Sequence, residues 1–350
     1  MFGIKHPIAS AAMGPFRTTE LAIAVSEAGG LGMISHAHQS MDGREASAIV
    51  ALKKNLDYVI EHTDGIFGFN IRTSRLTVDC DKLISEASKH IMSNPKLREQ
   101  CLYALTSAGS ASRMPQNKDF QKLRESTQIK HFHVAPALWL ADKCVAAGCD
   151  GLVVTGFEGG GHQSYEKVGG LVLLQQVQQK HPEIPKIACG GFATGTGMAA
   201  ALALGAGGIA MGSRFIASKD SEFHENYKNI VPPAKAQDTI VRTGGLGTIR
   251  LWKNKFSLAK GLVQSKEEKM AEEKAVVDHR TAISQEDLAE ELRKDAIAAF
   301  ILYDGDVENG YVLLGQSIGV IDQIESVSDI IENFIKDAEK ALKNASSYVQ

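Results

Sequence analysis

Short apolar runs alternate with amphipathic stretches along the first 212 residues. The runs are PIASAAM (7–13), LGMIS (31–35), FGFNI (67–71), LYALTS (102–107), HFHVA (131–135), GLVVT (151–155), KIACG (186–190) and GIAMG (208–212). Short, largely apolar and set apart from the helical stretches, they predict strands. Between them apolar residues recur at three- and four-residue spacing, which predicts helices over 18–29, 42–56, 81–92, 117–126, 137–148, 171–180 and 195–205. Gly29, Gly30, Gly148 and Gly205 fall where left-handed caps are wanted, and Thr18 and Asp42 are placed as N-caps. Strand–helix alternation implies parallel strands joined by right-handed crossovers. Eight such strands close a barrel, so the predicted fold is α/β, a (β/α)8 TIM barrel spanning 1–221.

After residue 213 the pattern changes. The stretch SKEEKMAEEKAVVDHRTAISQEDLAEELRKD is charge-rich and helical in period, and predicts a small helical cap or insertion over 222–300. Residues 301–350 end in an amphipathic segment, SVSDIIENFIKDAEKALKNA, expected to pack back on the barrel.

Composition adds exclusions. The chain of 350 residues is 44% hydrophobic and 23% charged, with a net charge of −3. That is ordinary globular composition, and no basic field argues for nucleic acid. Cysteines stand at 80, 101, 144, 149 and 189 with no CxxC, which favours free thiols in a reducing, cytoplasmic setting. No apolar leader opens the sequence. The small-residue stretch 197–212 is broken by Gly205, Gly207 and Gly208, so no membrane span is expected.

A barrel's chemistry sits at the carboxyl ends of its strands. The sixth strand runs into GFEGGGHQS, which puts His162 at the mouth behind glycines that let backbone approach a flat ligand. Gly190-Gly191 and Gly212-Ser213 end strands seven and eight, the usual phosphate site of this architecture, with the helix from Gly195 expected to add its dipole. Arg214 would add charge there or pair elsewhere. Met13-Gly14 ends strand one, and Asn70 ends strand three with an amide that both donates and accepts. A rival reading takes Gly195-Thr196-Gly197-Met198-Ala199-Ala200 as a dinucleotide fingerprint, but six βα units precede it and no acid ends the next strand. The pairs His36/His38 and His131/His133 have metal-ligand spacing without carboxylate or thiolate partners; they read as loop or core histidines, with His36 and His133 as candidate pocket residues.

The stretches AAMGPFRTTELAIAVSEAGGLGMIS, GFNI, GFEGGGHQS, KIACGGFATGTGMAAALALGAGGIAMGSRFIAS and HENYK together resemble the nitronate monooxygenase family, over roughly residues 5–230 and more loosely GYVLLGQSIGVI near 310–321. The resemblance implies FMN, its phosphate at Gly190, Gly191, Gly212 and Ser213 and its ring over Met13 near Asn70, Thr155 and Gly160, with Gly14, Gly161 and Met211 also in the cofactor site. It implies His162 as the catalytic histidine and a small-molecule substrate with O2, an alkyl nitronate such as propionate 3-nitronate giving a carbonyl compound and nitrite. Neither nucleic acid nor membrane is implied as a partner, and a homodimer is left open. Ala12 stands where the family usually has proline, and Thr155 where many members have glutamine. Relatives with the same motifs are NAD(P)H-dependent reductases of enoyl thioesters or quinones, the alternative function. Val134-Ala135-Pro136 replaces the lysine expected of the quinone reductases. For a carrier-borne thioester, Arg250, Lys253, Lys255 and Lys260 would supply a basic docking patch.

Overall fold

The computed structural model describes residues 1–45, 47–74, 77, 79–244, 247–259, 265–284, 286–287 and 303–349. Its strands are β1 (Ile8–Ser10), β2 (Gly32–Ile34), β3 (Gln39–Ser40), β4 (Gly43–Arg44), β5 (Phe67–Arg72), β6 (Cys101–Ser107), β7 (Lys130–Ala135), β8 (Gly151–Thr155), β9 (Gly161–His162), β10 (Lys186–Cys189), β11 (Gly208–Met211), β12 (Thr239–Gly244) and β13 (Gly247–Trp252). Eight of them form one parallel sheet in the order β1-β11-β10-β8-β7-β6-β5-β2. Leu31 closes the ring: its N–H donates to Ile8 and its carbonyl accepts from Ser10, at 2.9 and 3.1 Å. The eight strands read from the sequence are these eight, and the closed ring is the expected barrel.

The helices are α1 (Thr19–Glu27), α2 (Ala48–His62), α3 (Cys80–Ser93), α4 (Pro95–Gln100), α5 (Arg113–Gln116), α6 (Lys118–Ser126), α7 (Leu138–Ala146), α8 (Gly170–Lys180), α9 (Gly195–Ala203), α10 (Ser213–Ile216), α11 (Glu225–Asn229), α12 (Lys266–Ala282) and a C-terminal helix, Val327–Ser346. Period-two alternation sorts the barrel side chains. Leu31, Met33, Tyr103, Leu105, Phe132, Val153 and Ile187 fill the interior. Phe67, Phe69 and Ile71 point outward into the helix layer instead.

Three local expectations change. The helix expected from residue 42 starts at Ala48, where the Ser47 hydroxyl accepts from the Val50 N–H. Asp42 lies before it, in the turn of the small hairpin that β3 and β4 make. Thr18 precedes α1 but its side chain does not cap it. Its hydroxyl donates to the Met33 carbonyl at 2.8 Å and accepts from the Ser35 N–H at 2.9 Å, tying α1 to strand two. Inside the segment expected to be helical, β12 and β13 form an antiparallel hairpin to which β9 adds a third strand. The charge-rich helix appears as α12; in the rest of that stretch residue 285 and residues 288–295 lie outside the described residues, as does Lys260.

The C-terminal helix covers α9 and buries Ile330, Ile331, Phe334 and Ala338 in the same core as the barrel's outer face. Among the described residues no helix is long and apolar enough to cross a membrane.

Candidate active site

A cavity of about 960 Å³ opens at the carboxyl ends of the barrel strands. That is the upper end of the range for small-molecule sites, roughly 300–1,000 Å³. Met13, Gly14, Asn70, Thr155, Gly160, Gly161, His162, Gly190, Gly191, Gly212 and Ser213 all line it. Met211 does not: its side chain is fully buried in the core beneath.

The glycine run before His162 is clamped between two parts of the chain far away in sequence. On one side Gly161 and His162 pair with Arg250 and Ile249 of β13, and the Gln163 N–H donates to the Thr248 carbonyl at 2.8 Å. On the other side Leu314 and Gly315 press against Gly160 so closely that a Cβ there would sit 2.8 Å from backbone atoms of both. Gly161 also has a φ of +78°, which a side chain would oppose. Gly160→Ala is therefore expected to destabilise the protein by about 1–3 kcal/mol through forced backbone displacement. Urea denaturation checks this, and an unchanged midpoint would show that the 314–315 segment yields freely.

Arg250 fixes the same loop from behind. It is buried, its Nε and Nη2 donate to the Phe157 carbonyl at 3.1 and 2.9 Å, and Nη1 reaches the Thr239 hydroxyl. It is a brace of the fold, not part of a docking patch.

Gly190 and Gly191 turn with φ of +81° and +92°. Beside them the Ser213 hydroxyl accepts the Gly315 N–H at 3.0 Å, which leaves its own proton for an acceptor in the cavity. The first residues of α9 do not line the cavity. The Thr194 hydroxyl caps its Gly197 N–H at 3.1 Å, and Gly195 packs on Phe334 and Asp337 of the C-terminal helix, away from the cavity lining. Arg214 also pairs elsewhere: it donates to the Ala217 and Gln323 carbonyls and lies 3.7 Å from Glu325. The dinucleotide fingerprint at 195–200 thus lies off the cavity lining, and the parallel ring excludes the doubly wound sheet it needs.

Asn70 is buried on the inner face of β5. Its Nδ2 donates to the Leu105 carbonyl and the Ser107 hydroxyl at 3.1 and 3.2 Å. Both amide protons are engaged, so it offers the cavity an acceptor rather than the donor–acceptor pair expected from sequence.

The histidine pairs belong to the scaffold. Neither His36 nor His133 lines the cavity. His131 and His133 face the helix layer and share the Thr106 hydroxyl, at 2.7 Å to Nε2 of one and 2.6 Å to Nδ1 of the other. One hydroxyl can donate once, so one ring accepts and the other donates. Burial pushes both pKa values down, to about 3 and about 4. No group of three or more metal-capable side chains occurs among the described residues.

The sequence reading missed the cations. Arg72, Arg113 and Lys143 line the cavity, and no Asp or Glu does among the described residues. Arg72 follows Asn70 by two residues and so shares its inward face, a signal that period two carried. Trp139 and Tyr165 stack at 6.3 Å on the wall, with the Lys143 ammonium 5.0 Å over the indole. From α12, Met270 and Val277 lie a heptad apart and roof the mouth.

A mouth built this way at the carboxyl ends of a closed strand ring is that of a barrel enzyme. The sequence profile of the nitronate monooxygenase family matches residues 1–337, and the chain belongs to that family; it is an oxidoreductase. Over its whole length it is 28% identical to "(3aS,4S,5R,7aS)-5-hydroxy-7a-methyl-1-oxo-octahydro-1H-indene-4-carboxyl-CoA dehydrogenase" of Mycobacterium tuberculosis, covering 98% of that protein. It is 26% identical to a probable nitronate monooxygenase of Staphylococcus saprophyticus, over 98% of this chain and 97% of that one. Among solved structures, FabK from Thermotoga maritima is 32% identical with a TM-score of 0.75, covering 99% of this chain and 97% of its own. Nitroalkane oxidase from Streptomyces ansochromogenes, at 19% identity, 97% and 98% coverage and a TM-score of 0.70, shares the fold.

Proposed function

We propose that the protein binds FMN and oxidises alkyl nitronates, such as propionate 3-nitronate, with O2 to a carbonyl compound and nitrite. The charge of the cavity carries this reading. In a chain of net charge −3, its described lining holds three cations, one imidazole and no carboxylate. Such a site favours an anionic cofactor and an anionic substrate together.

The residues present fit FMN. The turns at Gly190-Gly191 and Gly212-Ser213 bring main chain to the cavity surface, and the Ser213 proton suits a phosphate oxygen. The Asn70 carbonyl suits a ring N–H. The volume leaves room for a small substrate beside a flavin. When bound, FMN supplies the electron acceptor that the side chains lack. The chain does the rest. The His162 imidazole binds the nitro oxygens and takes the α-proton when the substrate is a neutral nitroalkane. Trp139 and Tyr165 wall the reacting end from water, beneath the α12 roof.

A second reading, an NAD(P)H-dependent reductase or a dehydrogenase of acyl thioesters, is favoured by the full-length similarity to the mycobacterial CoA dehydrogenase and to FabK. Anaerobic mixing of the FMN-loaded protein separates the two. The nitronate reading expects propionate 3-nitronate to reduce the flavin and NADPH to leave it oxidised. Immediate bleaching by NADPH, with nitronate inert, replaces the first reading by the second.

A further inference from the structure

Arg72 stands at the end of β5 on the inner face, two residues beyond Asn70, and lines the cavity. Its Nε is shielded from solvent and has no hydrogen-bond partner. No described carboxylate pairs with it. The groups around it are neutral or basic: its own N–H donates to His36 Nδ1 at 3.0 Å, and Tyr311 approaches the guanidinium. Burial foremost, then the Arg72 charge, holds His36 well below the ordinary imidazole range; burial and Arg72 likewise lower His38. Among the described residues the fold has therefore placed a fixed cation in a cleft without a counter-ion. Elsewhere it treats arginines differently. Arg214 and Arg250 are buried, and each is bonded to backbone carbonyls. A partially shielded guanidinium without such bonds is costly unless a ligand completes it.

Resting on the reading that this cavity holds the substrate, we propose that Arg72 anchors a substrate carboxylate and makes the enzyme select substrates that carry one away from the reacting carbon. The planar fork of a guanidinium matches the two oxygens of a carboxylate. The flavin phosphate is provided for elsewhere, at the turns after β10 and β11. The β5 wall adds hydroxyls: Ser107 faces Arg72 in register on β6, and Ser110 and Ser112 follow it on the same rim. Arg113, held only loosely by Asp81 at 3.8 Å, stands farther along that rim.

The test compares two ligands of equal length, 3-nitropropionate and 1-nitropropane, in which a methyl replaces the carboxylate. Anaerobic calorimetric titration of the protein with its FMN already reduced, which can take no electron from the ligand, reads their dissociation constants without turnover. The wild type is expected to prefer 3-nitropropionate on the order of ten- to a hundredfold, the worth of a charge-assisted pair. Arg72→Gln should bring that ratio near one with 1-nitropropane binding unchanged, and Arg72→Lys should keep part of it. In turnover, KM should rise for propionate 3-nitronate alone while kcat holds. A ratio that survives Arg72→Gln, or a wild type without preference, overturns the proposal. Equal weakening of both ligands, or an altered flavin spectrum with the preference intact, also overturns it by assigning Arg72 to scaffold or cofactor. If the ratio collapses as expected but no nitronate is oxidised, the anchor stands and the reaction assigned above falls.

Discussion

Replacing His162 by asparagine in the FMN-loaded protein is expected to lower turnover of a neutral nitroalkane by about 10²–10⁴-fold, the usual worth of a positioned general base. The loss should be smaller for the preformed nitronate, whose α-proton is already gone. The substitution is mild for the fold. β9 pairs with β13 through backbone at Gly161 and His162, and asparagine keeps that pairing. Flavin content and thermal midpoint should therefore match the wild type. Measuring both substrates on the same preparation separates proton removal from binding of the nitro group. Equal losses on both would leave His162 with binding only, and unchanged turnover would remove it from the chemistry.

Mild acid should destabilise the protein well before its carboxylates titrate. His131 and His133 are neutral in the fold, with pKa values near 3 and 4, because burial disfavours their charged forms. Unfolded, each returns to about 6.5. Below that value the unfolded chain takes up protons the native state refuses, so their contribution is whole above pH 6.5 and drains away as pH falls toward the folded values. At about 1.4 kcal/mol per pH unit per group, the pair removes about 4 kcal/mol by pH 5. That is a large part of a typical stability of about 5–15 kcal/mol. Buried His36 acts in the same direction. Urea titrations from pH 7.5 to 5 should show the fall, and His131→Phe should flatten the slope by about one proton. A flat profile in the wild type would mean these rings charge freely in the native state.

The barrel was legible because strands buried on both faces leave apolar runs that little else imitates, and because the helix-ending turns at Gly29, Gly148 and Gly205 need the positive φ they adopt. The hairpin 239–252 was not read. Its alternating residues sit beside a long charged stretch whose helical period dominates the region. Asp42 misled because a cap and a hairpin turn want the same side chain. The cavity lining was legible where backbone makes it, at Gly160, Gly190 and Gly212. It was less so where tertiary contacts decide, since nothing local tells that the Asn70 donors are spent on β6 or that Gly195 is covered by the last helix. Arg72 lay one step along a face already identified.

The segment around Leu314 touches both halves of the cavity. Gly315 donates to Ser213, and the Gln316 N–H donates to the Glu158 carbonyl at 2.8 Å, in the loop that leads to His162. The two glycine-built turns are thus joined by residues made a hundred positions later. During synthesis the eight strands are complete long before this clasp leaves the ribosome. A nascent chain stalled before residue 315 would therefore carry all eight barrel strands while the turns at Ser213 and Glu158 still lacked the segment that joins them.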